Sequence, residues 1–215
     1  MKINVINLII LDESGSMESI KKPSLDGLNE TLQSIQSAQE KHKDLQKHYV
    51  TLVTFNSDQV KTLLNRVPTS AIRLLTNRDY QPSSCTPLFD AMGNSLSKLR
   101  HQLNKEEKNQ VLVTIITDGY ENASKEYTGK MIKHLVEELK AEGWVFAYIG
   151  ANQDVDAVAD SMSIQNRIAY EANFEGAEKL YKKENRSRLN FFDKISKKIY
   201  DNNIDLEKNF FEEES

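Results

Sequence analysis

The feature that most constrains the fold is a mostly apolar run at residues 3–11, which stops abruptly at an acidic, hydroxyl-rich stretch. A run of this length that is rich in β-branched residues is typical of a parallel strand buried on both faces. In an open α/β sheet, ligands bind near the loops that leave the carboxyl ends of such strands. We therefore expect the residues that follow, 12–17, to lie in the functional region.

This first loop presents oxygen atoms at alternate positions, from Asp12, Ser14 and Ser16. Gly15 between the two serines permits a tight backbone path. Carboxylate and hydroxyl oxygens are hard donors, which suit Mg²⁺, Mn²⁺ or Ca²⁺ and suit Zn²⁺ or copper poorly. Three oxygens do not fill a six-coordinate shell, so further ligands must come from other parts of the chain.

Strand and helix patterns alternate after this loop. Strand-like segments occur at residues 49–55, 60–64, 111–117, 144–149 and 166–170, with helical periodicity at 25–38, 88–103, 132–139 and 154–162. The turn residues 56–59 predict that the segments 49–55 and 60–64 form an antiparallel hairpin at one edge of the sheet. Ser24 after Pro23 is a candidate N-cap for the first helix. The alternation predicts an α/β fold, a doubly wound and mostly parallel sheet flanked by helices.

Two more oxygen-bearing positions lie at the ends of later elements. Thr86 precedes Pro87, a residue well suited to the first turn of a helix. Asp118 directly follows the buried strand 111–117. Taken singly, these residues are open to an ordinary structural explanation, because Ser14 and Ser16 could cap a helix and Asp118 could begin a turn.

Taken together, Asp12-x-Ser14-x-Ser16, Thr86 and Asp118 resemble the metal-ion-dependent adhesion site (MIDAS) of von Willebrand factor type A (VWA) domains. The resemblance covers roughly residues 3–170, and all five positions match the family pattern. D-x-S-x-S alone is a weak motif, whereas three elements in the right order and structural context are specific. The resemblance implies a Rossmann-like sheet of order 3-2-1-4-5-6, in which the strands ending at Asp12 and Asp118 are neighbours.

The resemblance also implies a function. In the family, the serine and threonine hydroxyls generally bind the metal directly, and the aspartates act partly through water. Mg²⁺ is the expected cofactor, with Mn²⁺ or Ca²⁺ possible, and a partner's Asp or Glu replaces one bound water. This mechanism indicates a non-enzymatic adaptor or scaffold, similar to stand-alone, cytoplasmic VWA proteins of the bacterial type that work with AAA+ ATPases or with kinase and phosphatase systems. Glu13, Glu18, Tyr120 and Glu121 are expected at the rim, and Glu13 has no ligand role.

Two other functions remain open at this point. A Mg²⁺-dependent phosphohydrolase is one, although the haloacid dehalogenase type needs an aspartate as general acid where this chain has Ser14. A fold that has lost metal binding and serves only as an assembly surface is the other. Cys85 as a nucleophile lacks a histidine nearby in sequence, so we expect it to be a buried filler.

Composition limits the classes of partner and the cellular compartment that we expect. A net charge of −4 gives no bulk attraction to nucleic acid or to anionic membranes, and no segment is apolar for the roughly 18 residues that span a bilayer. Cys85 is the only cysteine, so the chain forms no internal disulfide and fits a reducing compartment, which favours the cytoplasm.

We divide the chain into three parts. Residues 1–172 form the predicted VWA domain, and residues 173–200 form a C-terminal helix packed on it or appended to it. Residues 201–215 hold six acidic residues and one lysine, which predicts a disordered acidic tail. The basic residues between 179 and 198 are expected to form a solvated helix face rather than a nucleic-acid site, since they lack clustered aromatic residues.

Overall fold

A six-stranded sheet forms the centre of the structure, a computed structural model in which residues 2–104 and 106–211 are described. The strands are β1 (Ile3–Asp12), β2 (Gln46–Phe55), β3 (Val60–Pro68), β4 (Asn109–Thr117), β5 (Val145–Gly150) and β6 (Asn166–Ala169). Their order is β3-β2-β1-β4-β5-β6, and every neighbouring pair is parallel except β2 with β3. The predicted doubly wound sheet, its strand order and its edge hairpin are therefore confirmed.

Five helices cover the two faces of this sheet in the described residues. They are α1 (Lys21–Lys41), α2 (Leu88–Gln102), α3 (Gly129–Ala141), α4 (Val155–Ser161) and α5 (Phe174–Lys198). Side chains of α1 and α5 pack against one face, and those of α2, α3 and α4 pack against the other. Along β1, Ile9 and Leu11 belong to the first core, whereas Leu8 and Ile10 belong to the second. The first strand is thus buried on both faces, as its composition indicates.

The start of the first helix differs from the prediction. A 3₁₀ turn, Gly15–Ile20, leads directly into α1, which begins at Lys21. Pro23 therefore lies inside the first helical turn, where backbone N–H groups have no helical partner and a missing one breaks no bond. Ser24 is a buried residue of the helix and not its N-cap.

Helix α5 is an integral part of the domain core. Its Tyr181 ring packs so closely against α1 that a Cβ added to Gly27 would lie 2.2 Å from the ring. Arg188 of α5 is fully buried, and its guanidinium donates hydrogen bonds of 2.8 Å to Asn7 on β1 and Thr114 on β4. It also pairs with Glu184 on the same helix. These contacts fix α5 to the centre of the sheet.

The segment after α5 contacts the hydrophobic core. Leu206 and Phe210 are buried, and the Phe210 ring lies 6.0 Å from that of Phe191 on α5. Apolar side chains of residues 201–211 therefore reach the core beside α5, and the disorder of the tail stays a prediction. Residues 212–215, the rest of the predicted tail, lie outside the described part of the chain.

Within the described part of the chain, no helix combines the length and apolar character needed to cross a membrane.

Candidate metal centre

The sheet places the first and third oxygen-bearing loops side by side. Strands β1 and β4 are parallel neighbours, and Leu11 pairs with Ile116 near their carboxyl ends. Asp12 is the last residue of β1, and Asp118 comes directly after β4. Both aspartates are buried, with exposed fractions of 0% and 2%. Two carboxylates from distant parts of the sequence therefore lie close together at the carboxyl ends of the central strands.

Asp12 is held in a fixed orientation by its neighbours. Its Oδ1 accepts a hydrogen bond of 2.7 Å from the Ser14 amide, and its Oδ2 accepts one of 2.6 Å from the Thr117 hydroxyl. The Asp12 carbonyl oxygen accepts a further bond of 2.7 Å from the Tyr80 hydroxyl. Because each carboxylate oxygen is already hydrogen-bonded, the side chain has little freedom to rotate.

The two serines connect Asp12's loop to Asp118. The hydroxyl oxygens of Ser14 and Ser16 lie 3.2 Å apart, and the Ser16 hydroxyl donates a bond of 2.5 Å to Asp118 Oδ1. Ser14 is buried, whereas Ser16 is exposed to solvent. The contacts thus form a continuous polar set that begins in the interior and opens at the protein surface.

Thr86 approaches the same place from the loop before α2. Its amide donates a hydrogen bond of 2.9 Å to the Asn122 side-chain oxygen, and its carbonyl accepts one of 3.1 Å from the Asn122 amide. A Cβ added to Gly119 would lie 3.9 Å from Ser16 Oγ and 4.0 Å from Thr86 Oγ1. The two hydroxyls therefore border a common space that glycine at position 119 leaves open.

The electrostatics of the site disfavour two free carboxylates. Burial raises the pKa of Asp12 from 3.8 to about 6, against hydrogen bonds from Thr117 and Ser14 that lower it, and nearby Asp118 raises it further. Burial also raises the pKa of Asp118, and the bond from Ser16 opposes this shift. A bound cation would stabilise both ionised carboxylates, since an opposite charge nearby favours the charged form.

The structure brings the sequence-predicted set together, and its chemistry fits a hard divalent cation. Asp12, Ser14, Ser16 and Asp118 form one hydrogen-bonded series, and Thr86 faces Ser16 across Gly119. In the described residues, no group of three or more histidine, cysteine, aspartate or glutamate side chains could hold a metal. The hydroxyls are therefore essential to any metal site here, and hydroxyl oxygens suit Mg²⁺, Mn²⁺ and Ca²⁺ better than softer metals.

Sequence reasoning missed several residues that support this set. Thr117, Tyr80 and Asn122 orient Asp12 and Thr86, and none of them belongs to the motif. Thr117 could have been noticed, because a hydroxyl at the last position of an apolar strand faces the loop region. The contact from Tyr80 has no signal in the local sequence, since it depends on how residues 76–86 fold back over the carboxyl ends of the strands.

The residues expected at the rim divide into different roles. Tyr120 is 53% exposed, in agreement with a rim position. Glu121 instead caps local backbone, and its carboxylate accepts a hydrogen bond of 2.9 Å from the Phe89 amide at the start of α2. Glu13 is fully buried, which contradicts the rim expectation. Cys85 is exposed, so its description as a buried filler is also wrong.

Residues 8–185 of the chain match a family model, that of the von Willebrand factor type A domain. The chain belongs to the von Willebrand factor type A family. The match extends into helix α5, in keeping with the burial of that helix in the core. A search of curated proteins gives no match to this VWA chain.

Solved structures share the VWA fold at low sequence identity. Proximal thread matrix protein 1 (PTMP1) from the mussel byssus, with a zinc-occupied MIDAS motif, has a TM-score of 0.59 and 16% identity, covering 86% of this chain and 46% of that one. Manganese-loaded TRAP protein from Plasmodium vivax has a TM-score of 0.50 and 19% identity, covering 83% and 71%. The open form of the pilus adhesin SpaC from Lactobacillus rhamnosus GG has a TM-score of 0.54 and 12% identity, covering 89% and 30%. This chain thus spans less than half the length of PTMP1.

Proposed function

We propose that this VWA domain is a non-enzymatic, metal-dependent protein-binding module. A divalent cation held by Asp12, Ser14, Ser16, Thr86 and Asp118 accepts an acidic side chain of a partner protein. The observation that carries the proposal is the convergence of hydroxyl and carboxylate oxygens from three separate loops around the open space at Gly119. Such a set has no evident use in folding alone, because it buries two carboxylates close together.

The five residues have two kinds of role, direct coordination of the metal and orientation of its ligands. Ser14, Ser16 and Thr86 offer neutral hydroxyl oxygens as direct ligands. Asp12 has a hydrogen bond on each carboxylate oxygen, so it is suited to bind a metal-coordinated water. Asp118 already accepts a bond from Ser16 and orients that hydroxyl. Because most ligands are neutral, much of the cation's charge remains to attract a partner's carboxylate.

Mg²⁺ is the cation we propose, with Mn²⁺ and Ca²⁺ as alternatives that the same oxygen donors can hold. Mg²⁺ keeps several waters in its octahedral shell, and a partner's Asp or Glu can replace one of them. Support comes from structural neighbours: PTMP1 has been solved with zinc in its MIDAS motif, and the TRAP protein with manganese. These neighbours indicate that the fold accommodates divalent cations of more than one kind.

We also propose a cytoplasmic adaptor role for a stand-alone domain, with a partner from an AAA+ ATPase, kinase or phosphatase system. The proposal rests on the resemblance to bacterial-type cytoplasmic VWA proteins and on the use of a single cysteine. The phosphohydrolase alternative finds no support in the site. Ser14 occupies the position of its general acid, and the Ser14 hydroxyl contacts Ser16 instead.

Water-proton relaxation of Mn²⁺-loaded protein tests this function directly. A short peptide containing glutamate should lower the relaxation enhancement in a saturable way, because its carboxylate displaces a metal-bound water. The same peptide with glutamine should have no effect. Thr86→Ala should abolish the response, whereas Thr62→Ala, an exposed threonine on β3, should retain it. Equal responses to the two peptides would contradict carboxylate recognition, and Mg²⁺-dependent phosphoester turnover lost in Asp12→Ala would favour the enzyme.

A further inference from the structure

Glu13 is a buried carboxylate at a position where the MIDAS motif requires no particular residue. It lies between Asp12 and Ser14, and its exposed fraction is 0%. Burying a carboxylate is unfavourable unless it is paired and hydrogen-bonded. Within the described residues, Oε2 of Glu13 has no hydrogen-bond partner, so the contacts of Oε1 and of the backbone indicate what this residue does.

Those contacts join three segments of the chain. Glu13 Oε1 accepts a hydrogen bond of 2.6 Å from the Gln81 amide and one of 2.8 Å from the Lys61 ammonium group on β3. Its backbone carbonyl accepts a bond of 2.9 Å from the Ser83 amide, and its own amide donates one of 2.7 Å to Phe55 at the end of β2. Glu13 thus connects the first metal loop to β2, to β3 and to the segment 81–84.

The segment 81–84 leads directly to Thr86. Besides its contacts with Glu13, it accepts a hydrogen bond of 3.0 Å at the Ser84 carbonyl from the Gly15 amide. The loop that carries two serine hydroxyls and the segment that carries the threonine hydroxyl are therefore joined at three points. The Glu13 carboxylate is the one side chain among these three contacts.

We infer that Glu13 is a positioning residue of the metal centre, which fixes the segment 81–86 so that Thr86 faces Ser14 and Ser16. Lys61 acts as its counter-ion, and the pair is held so that Glu13 adds no net charge beside the metal. Glu13 itself does not touch the cation. The inference deepens the proposed function and rests on it for the role of the metal.

Metal affinity and a charge-matched double variant test this role. Glu13→Ala should weaken Mn²⁺ binding about tenfold, because the Gln81 amide loses its acceptor and the segment loosens. The double variant Glu13→Ala/Lys61→Met should be weakened to the same extent. Affinity restored in the double variant would overturn the inference, since it would assign the loss to the uncompensated Lys61 charge. Glu40→Ala, at an exposed acidic residue on α1, is the matched control.

Hydrogen exchange of the metal-free protein tests the positioning separately from metal binding. The amides of Ser83 and Gly15 keep their own backbone acceptors in Glu13→Ala, so their exchange reports the segment as a whole. We expect exchange at both amides to be at least about tenfold faster in Glu13→Ala than in wild type, and unchanged in Glu40→Ala. Unchanged exchange in Glu13→Ala would overturn the inference. Failure of wild-type protein to bind metal would instead contradict the proposed function and leave this result to decide the positioning.

Discussion

Asn122 and Thr86 are joined by two reciprocal hydrogen bonds, one of 2.9 Å from the Thr86 amide to the Asn122 side chain and one of 3.1 Å from the Asn122 amide to the Thr86 carbonyl. Asn122 lies four residues after Asp118 in the loop between β4 and α3. The bridge therefore links the loop of Asp118 to the loop of Thr86. Asn122 therefore contributes directly to the spacing of two proposed metal-binding groups.

Replacing Asn122 by alanine should weaken metal binding more than it weakens the fold. The buried Thr86 amide loses its acceptor, and an unsatisfied buried donor costs about 1–3 kcal/mol. Because the loss falls on the site, we expect about a tenfold rise in the Kd for Mn²⁺, measured by calorimetry. Asn202→Ala, at an exposed position after α5, should leave the Kd unchanged. Equal affinities of the two variants would contradict the role of the bridge.

Asp12→Asn should stabilise the metal-free protein at pH 7.5 while abolishing metal binding. The folded-state pKa of Asp12 is raised from 3.8 to about 6, so wild-type protein carries a destabilising buried charge above pH 6. A shift of this size corresponds to about 3 kcal/mol, which sets the upper limit of the gain. Thermal unfolding in the presence of EDTA measures the difference.

The sign of this effect determines its pH dependence. Between pH 3.8 and about 6 the folded protein holds more protons at Asp12 than the unfolded chain. The contribution of Asp12 to the free energy of unfolding therefore falls as pH rises. His48 acts in the opposite direction, because burial lowers its pKa from 6.5 to about 3. The prediction is therefore tested by measuring the free energy of unfolding of wild type and of Asp12→Asn at each pH and taking the difference, because the contribution of His48 is common to both proteins. A difference that does not change between pH 4 and pH 7 would contradict the prediction.

Arg188→Met should be strongly destabilising. The change removes bonds to Asn7 and Thr114 and leaves the Glu184 carboxylate buried without its counter-ion. Breaking a buried pair in this way costs about 3–5 kcal/mol. The double variant Arg188→Met/Glu184→Leu should recover much of that loss, because it removes the unpaired charge. Urea unfolding measures both, and a double variant less stable than the single one would contradict the explanation.

Gly27→Ala tests the close contact between α1 and α5. The added methyl group would lie 2.2–2.6 Å from atoms of Tyr181, so the helices must separate. Overpacking of this kind costs about 1–3 kcal/mol, more than the gain in helix propensity. Gly27→Ala combined with Tyr181→Ala should lose the steric conflict. Chemical denaturation measures each free energy of unfolding, and a stabilised Gly27→Ala protein would show that the contact yields easily.

Much of the fold could be predicted from local pattern. The apolar runs before Asp12 and Asp118 indicate buried strands, and their alternation with helices predicts a doubly wound sheet, whereas the strand order follows from the resemblance to the VWA family. The five motif positions could be predicted because they match the motif of the VWA family. Local geometry alone accounts for only part of the set, since Asp12 ends β1 and Asp118 directly follows β4, whereas Ser16 lies inside the 3₁₀ turn and Thr86 lies in the irregular segment before α2.

The supporting contacts could not be predicted in the same way. Glu13 carries a charged side chain of the kind expected at the rim of a site. Only the path of the segment 81–86 shows that it is buried beside Lys61. Arg188 and its buried partner Glu184 lie in a helix whose remaining charged residues are exposed or half-buried, so the pattern of α5 does not reveal the pair. The other partners of Arg188, Asn7 and Thr114, lie more than 70 residues away in sequence. Contacts of this kind depend on tertiary packing, which no local spacing encodes.

Calorimetric titration of metal-free protein with Mg²⁺, Mn²⁺ and Ca²⁺ tests the central claim most directly. We predict saturable binding at one site in wild-type protein, which is lost in Asp12→Ala although that variant still melts cooperatively. A parallel titration in the presence of a glutamate-containing peptide should show tighter metal binding, because the partner carboxylate completes the coordination shell. Wild-type protein that binds none of the three cations, with or without the peptide, would contradict the claim.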